Sequence, residues 1–136
     1  MKLVDHIKSA NETLFSFEIL PPLKGGSIES LFSGIGTLME FKPFFVDVTY
    51  EREEYVMRKR PDGSYDKVSI RKRPGTVAIC AAIMQRFHVE AVPHIICGGF
   101  SRDETENALI DLNFLGIDNV LAIRGDNQSG ERNFTP

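Results

Sequence analysis

Four short apolar runs, each carrying polar residues of a reactive type at or near its end, alternate along this chain with stretches of helical period. That alternation limits the folds open to it. The runs are Leu14 to Leu20, Phe44 to Thr49, Val89 to Cys97 and Asn119 to Ile123. Glu18, Thr49, His94 and the cluster Arg124-Gly125-Asp126 are their reactive residues. Strand and helix in strict alternation means parallel strands joined by right-handed crossovers. In such a sheet the C-terminal strand ends converge on one side of the fold, so these polar residues are expected to gather around one site. An enzyme is the leading reading.

The helical stretches are marked by period and by end signals. Leu3, Ile7 and Ala10 share one side of a short lead-in helix over Leu3 to Asn11. Pro21-Pro22 closes the first strand, and Ser27 is placed to N-cap a helix carrying Ile28, Leu31, Phe32, Ile35, Leu38 and Met39. Pro43 disfavours helical geometry in the residue before it, so that helix should stop near Phe41. Gly75 to Phe87 is the next helix by length and composition, and Pro93 suggests a local interruption of the third strand's ladder. Ser101-Arg-Asp-Glu104 is a capping box that starts a last helix, ended by Gly116 in the C′ position. Glu51 to Arg73 breaks the rhythm. Its basic clusters Arg58-Lys-Arg60 and Arg71-Lys-Arg73 flank Pro61-Asp-Gly-Ser64, which is turn chemistry, so a charged β-hairpin inserted at about 51–73 is expected. That arm is either solvated or in contact with an anionic ligand or a neighbouring subunit.

Two architectures fit this order, an open doubly wound sheet and the first half of an eight-stranded barrel. A dinucleotide-binding open sheet would show G-x-G-x-x-G after its first strand, where this chain reads Pro-Pro-Leu-Lys-Gly-Gly. The expected fold class is therefore α/β, parallel β/α units forming the first half of a TIM (β/α)8 barrel. A full barrel takes ~250 residues, so the 136 residues here make one partial domain over 1–136.

With sixteen Lys and Arg against nineteen Asp and Glu, the net charge of -3 gives no overall attraction to nucleic acid or to an anionic membrane. No apolar run approaches the ~18 residues that span a bilayer, and the start lacks a signal-peptide pattern, so a cytoplasmic address is expected. Cys80 and Cys97 both sit in apolar runs and read as small buried residues in a reducing compartment.

Glu18, flanked by Phe17 and Ile19, is in apolar company that would favour its protonated form and suit it to general-acid work; a strand-end ion pair is the alternative. Thr49 and Tyr50 are ordinary strand residues or, at a barrel mouth, a hydroxyl and a ring that hold a flat heterocycle. His94 is a hydrogen-bonded core histidine or a cofactor contact. No second ligand stands at metal spacing beside it, so no metal site is expected. Arg124-Gly125-Asp126 is the best-placed cluster, with a glycine that lets backbone approach a ligand; a structural Arg-Asp pair is its alternative.

Taken in order, Phe17-Glu-Ile-Leu-Pro-Pro22, Val48-Thr-Tyr50, Ala91-Val-Pro-His-Ile-Ile-Cys97 and Leu121-Ala-Ile-Arg-Gly-Asp126 resemble the strand-end motifs of the 5,10-methylenetetrahydrofolate reductase family. The resemblance implies an FAD-binding barrel, of which this chain covers the first half. It implies Glu18 as the general acid that helps open the methylene bridge of the folate. Asp126 would sit beside flavin and pterin as a second catalytic residue and cofactor contact, and Thr49, Tyr50, His94, Arg124 and Gly125 would line the FAD site. The family's reaction is a hydride relay from NAD(P)H through FAD to methylenetetrahydrofolate, in one-carbon metabolism and methionine biosynthesis. Glu51, directly after Tyr50, departs from the small residue that many bacterial relatives have there.

Half a barrel leaves two strand edges open, so this segment is expected to self-associate as a homo-oligomer and to have little activity alone. A non-catalytic half-barrel module and another FAD barrel acting on a cyclic amine are the rival readings.

Overall fold

A computed structural model describes residues 2–98 and 100–125. Its elements run α1 (Leu3–Ser9), β1 (Ser16–Ile19), α2 (Ile28–Met39), β2 (Phe45–Val48), β3 (Glu54–Lys59), β4 (Tyr65–Ile70), α3 (Thr76–Phe87), β5 (Glu90–Ile96), α4 (Arg102–Phe114) and β6 (Leu121–Ile123). Strands β1-β2-β5-β6 form one sheet in that order, with every neighbouring pair parallel, and β3-β4 form a separate antiparallel pair. Four helices with a four-stranded parallel sheet are the architecture of half a (β/α)8 barrel.

Local chemistry explains the element ends. The Ser27 hydroxyl accepts from the Ser30 amide at 3.2 Å and so starts α2. That helix ends where Lys42, held at φ 52, turns the chain ahead of Pro43. Both halves of the capping box form at α4: the Glu104 amide donates to Ser101 Oγ, and the Ser101 amide donates to Glu104 Oε2. Gly116, at φ 70, closes α4 in the left-handed region that favours glycine.

The side-chain period of two divides the sheet. Val48, Ala91 and Ile95 point to the helices and pack with Ile35 of α2, Ile79, Cys80 and Ile83 of α3, Leu112 of α4 and Ile117. Each fully buried side chain of this size contributes about 1.5–3 kcal/mol through its removal from water. Burial, with a smaller contribution from the Asp47 charge, pushes the Cys80 thiol up to about 12. It is an inert core group.

Residues 54–70 fold as the hairpin β3–β4, turned at Gly63 with φ 87. Its charges are largely matched on the arm and its base, through Arg60–Asp66, Lys72–Glu54 and Arg73–Glu51. Arg73 also donates to the carbonyl of Pro21, and the Lys24 amide donates to the carbonyl of Lys72 at 2.7 Å. These bonds tie the arm's base to the exit of β1.

The β2–β5 ladder ends at Pro93 and the strand pairs with β6 from His94 onward, so the backbone stays extended through the proline while the ladder is interrupted there, as expected. Two expectations are corrected. Cys97 is exposed, since β5 ends at Ile96 and the chain turns outward there. The strands β1 and β6 are shorter than their apolar runs, since the register with β2 begins at Ser16 and that with β5 at Leu121.

Candidate active site

The face of the sheet turned away from the helices carries the polar residues. Glu18 on β1 is in register with Asp47 on β2, and Asp47 with Val92 on β5. Alternation places Ser16, Glu18, Asp47, Val92 and His94 on this same face. The Ser16 hydroxyl donates to Asp47 Oδ2 at 3.2 Å, and Asp47 Oδ1 lies 3.9 Å from His94 Nε2. A serine, two carboxyls and an imidazole therefore form one row across three strands.

His94 is 3% exposed, and neither ring nitrogen has a hydrogen-bond partner among the described residues. A buried polar atom left unpaired costs about 1–3 kcal/mol. The backbone around it is fixed, because Thr76 Oγ1 at the start of α3 donates to the His94 carbonyl at 3.3 Å.

Glu18 is exposed, which corrects the expectation of an apolar surround: Phe17 and Ile19 point to the opposite face of the pleat. Its carboxyl is reachable by a ligand lying on this face. Burial lifts the Asp47 carboxyl above the ordinary aspartate value. The Ser16 hydrogen bond and the nearby His94 oppose that rise, and the like charge of Glu18 adds to it.

The other predicted residues stand on the rim at the C-terminal strand ends. Thr49 follows β2 and its amide donates to the Ile19 carbonyl at 3.0 Å. Arg124 and Gly125 follow β6, where the Gly98 amide donates to the Arg124 carbonyl at 3.0 Å. Gly125 has φ 82, and a Cβ there would meet the Ile96 side chain at 3.2 Å. The close approach that requires glycine is thus to β5. Asp126 lies outside the described residues.

Tyr50 is turned elsewhere. Its ring packs edge-on against Phe100 at 4.7 Å, and it lines a cavity of about 580 Å³ between α3 and α4 with Glu53, Arg71, Thr76 and Glu104. Burial raises its phenol above the usual tyrosine value. The fold thus brings Glu18 and His94 to one face, sets Thr49, Arg124 and Gly125 at its rim, and directs Tyr50 toward the helices.

Asp47 and Ser16 are the residues that the sequence reading left without a role. The available signal was a carboxylate inside the four-residue run Phe45-Val-Asp-Val48, with the same side-chain parity as Glu18 once the strands pair. Among the described residues no group of three or more His, Cys, Asp or Glu is placed to hold a metal ion. No helix among them is long and apolar enough to cross a membrane.

The sequence model for methylenetetrahydrofolate reductase matches residues 2–136. Methylenetetrahydrofolate reductase (NADH) 1 of Arabidopsis thaliana is 32% identical over 137 residues, a match covering 98% of this chain and 20% of the plant protein. The 5,10-methylenetetrahydrofolate reductase of Pectobacterium carotovorum subsp. carotovorum is 33% identical over 111 residues, covering 82% of this chain and 32% of its own length. That of Escherichia coli K12 is 32% identical over the same length. The chain spans about a fifth to a third of these relatives.

Proposed function

This chain belongs to the methylenetetrahydrofolate reductase family, and we propose that it forms the Glu18-bearing half of the catalytic barrel in a flavin-dependent enzyme. The proposed reaction is reduction of 5,10-methylenetetrahydrofolate to 5-methyltetrahydrofolate at the expense of NAD(P)H. The observation that carries this reading is the row Glu18, Asp47 and His94 on one sheet face, in a chain whose relatives bear the name of that activity. Residues 1–136 are proposed as a single partial domain, with the hairpin as its insertion.

In this reading Glu18 supplies the proton. It is exposed on the face where a folate would lie, and protonating a nitrogen of the methylene bridge weakens the bond that must open. His94, with its two unmatched nitrogens, holds the polar edge of FAD, and Thr49, Arg124 and Gly125 hold the cofactor from the rim, while Tyr50, turned toward α3 and α4, stays out of that contact. Asp126 is proposed to steady positive charge on the folate. Bound flavin would supply the hydride chemistry, which no side chain can provide. The chain's own residues bind, orient and protonate.

The test is Glu18→Gln in the enzyme that carries this segment. NAD(P)H should still reduce the flavin, while folate reduction falls by about 10²–10⁴-fold, the usual contribution of a general acid. Full folate turnover in that variant would refute the assignment. The 136-residue chain alone should retain FAD weakly and show no NADH-dependent reduction.

A further inference from the structure

Asp47 has no role in the scheme above, yet it stands between the proposed acid and the proposed cofactor contact. We propose that Asp47 is a positioning residue: anchored by Ser16, its carboxylate takes the Nε2–H of His94, fixes the ring's tautomer, and leaves Nδ1 as the acceptor for a hydroxyl or N–H of the bound ligand. The assignment rests on the reading of His94 as a ligand residue.

Three observations carry it. The His94 ring is buried with both nitrogens unpartnered, so its tautomer has no other protein group among the described residues to set it. Asp47 Oδ1 is the carboxylate oxygen facing Nε2, at 3.9 Å, roughly 1 Å beyond a charge-assisted hydrogen bond. The second carboxylate oxygen is already held by the Ser16 hydroxyl, which fixes the direction in which the first one points. Histidines that must present one nitrogen to a partner are commonly oriented through the other nitrogen by a carboxylate.

The charged and titratable groups around Asp47 come from three elements. Glu18 faces it from β1, His94 from β5, and the Cys80 thiol of α3 feels its charge through the sheet. Glu90, also on β5, is engaged by the Asn119 amide at 2.7 Å. None of these supplies a second acceptor to Nε2.

The ring can be read directly, since the chain has three histidines. In the ¹⁵N-labelled, ligand-free chain at about pH 8.5, two units above the ordinary imidazole value, His94 should show one tautomer, with a slowly exchanging proton on Nε2. Asp47→Ala should speed exchange of that proton by at least about tenfold, the worth of one such hydrogen bond. Asp47→Asn keeps an acceptor oxygen and should retain most of the protection. Ser16→Ala leaves the carboxylate in place but unanchored, and should fall between wild type and Asp47→Ala. It also carries the test if Asp47→Ala does not fold. An unprotected or Nδ1-bound proton in wild type would overturn the proposal. So would unchanged protection in Asp47→Ala, or in Ser16→Ala should that variant carry the test, and so would an Asp47→Asn ring indistinguishable from Asp47→Ala. Because no flavin is present, failure here leaves the folate reading intact, and failure to bind flavin leaves the ring result intact.

Discussion

On the helix side of the sheet, Val48, Ala91 and Ile95 meet Ile35, Ile79, Ile83 and Leu112 in a cluster that is apolar but for Cys80, which is inert. On the other side the same strands hold Ser16, Glu18, Asp47 and His94, with an unmatched imidazole and a carboxyl displaced from its ordinary pKa. Adjacent residues of one strand therefore belong to different regimes. One face is optimised for stability, and the other carries groups that destabilise the ligand-free fold but suit the handling of a proton and a polar ligand.

The contrast breaks most directly at Ile83, which is fully buried in α3. Ile83→Ala should cost about 3 kcal/mol, the transfer term plus the cavity left behind, read as a drop in the denaturant midpoint. A loss below about 1 kcal/mol would mean the helix-side face does not carry the fold's stability. His94→Leu is the opposite experiment. Replacing the imidazole by an apolar side chain removes no more than its one bond to Asp47 and should cost at most about 1 kcal/mol, while FAD retention is lost. If stability fell by about 2 kcal/mol or more, His94 would be a satisfied core residue.

The two faces also differ in how far they could be read from the sequence. Helix-side residues announce themselves by period, and the end signals at Ser27, Ser101-Glu104 and Gly116 are local, so each was legible and each formed. The chemistry-bearing face depends on register between strands far apart in the chain. Glu18 looked buried because its sequence neighbours are Phe17 and Ile19, but in a pleat nearest neighbours face opposite ways. Asp47 went without a role for the same reason: its partners Glu18 and His94 become neighbours only when β1, β2 and β5 align. Tyr50 was read with its neighbour Thr49, yet it stands beyond the end of β2, and its ring turns to Phe100.

A smaller effect sharpens the contrast through pH. Burial lifts the Asp47 carboxyl above its unfolded value near 3.8, so the folded chain holds that proton more tightly than the unfolded chain does. Where the native state binds more protons, stability falls as pH rises. The favourable contribution is whole below pH 3.8 and disappears as pH climbs through the raised folded value; beyond that the ionised carboxylate is a fixed burden on the fold. Asp47→Asn keeps an acceptor for the Ser16 hydroxyl and cannot ionise. The difference in stability between Asp47→Asn and wild type should therefore move in the variant's favour across that window and then level off. Urea midpoints of both proteins at stepped pH cancel the contributions of every other group. A flat difference would mean Asp47 ionises without penalty, and a difference moving in favour of wild type would mean its charge is already matched by His94, turning the polar face into a second stabilising surface and erasing the distinction between the two sides.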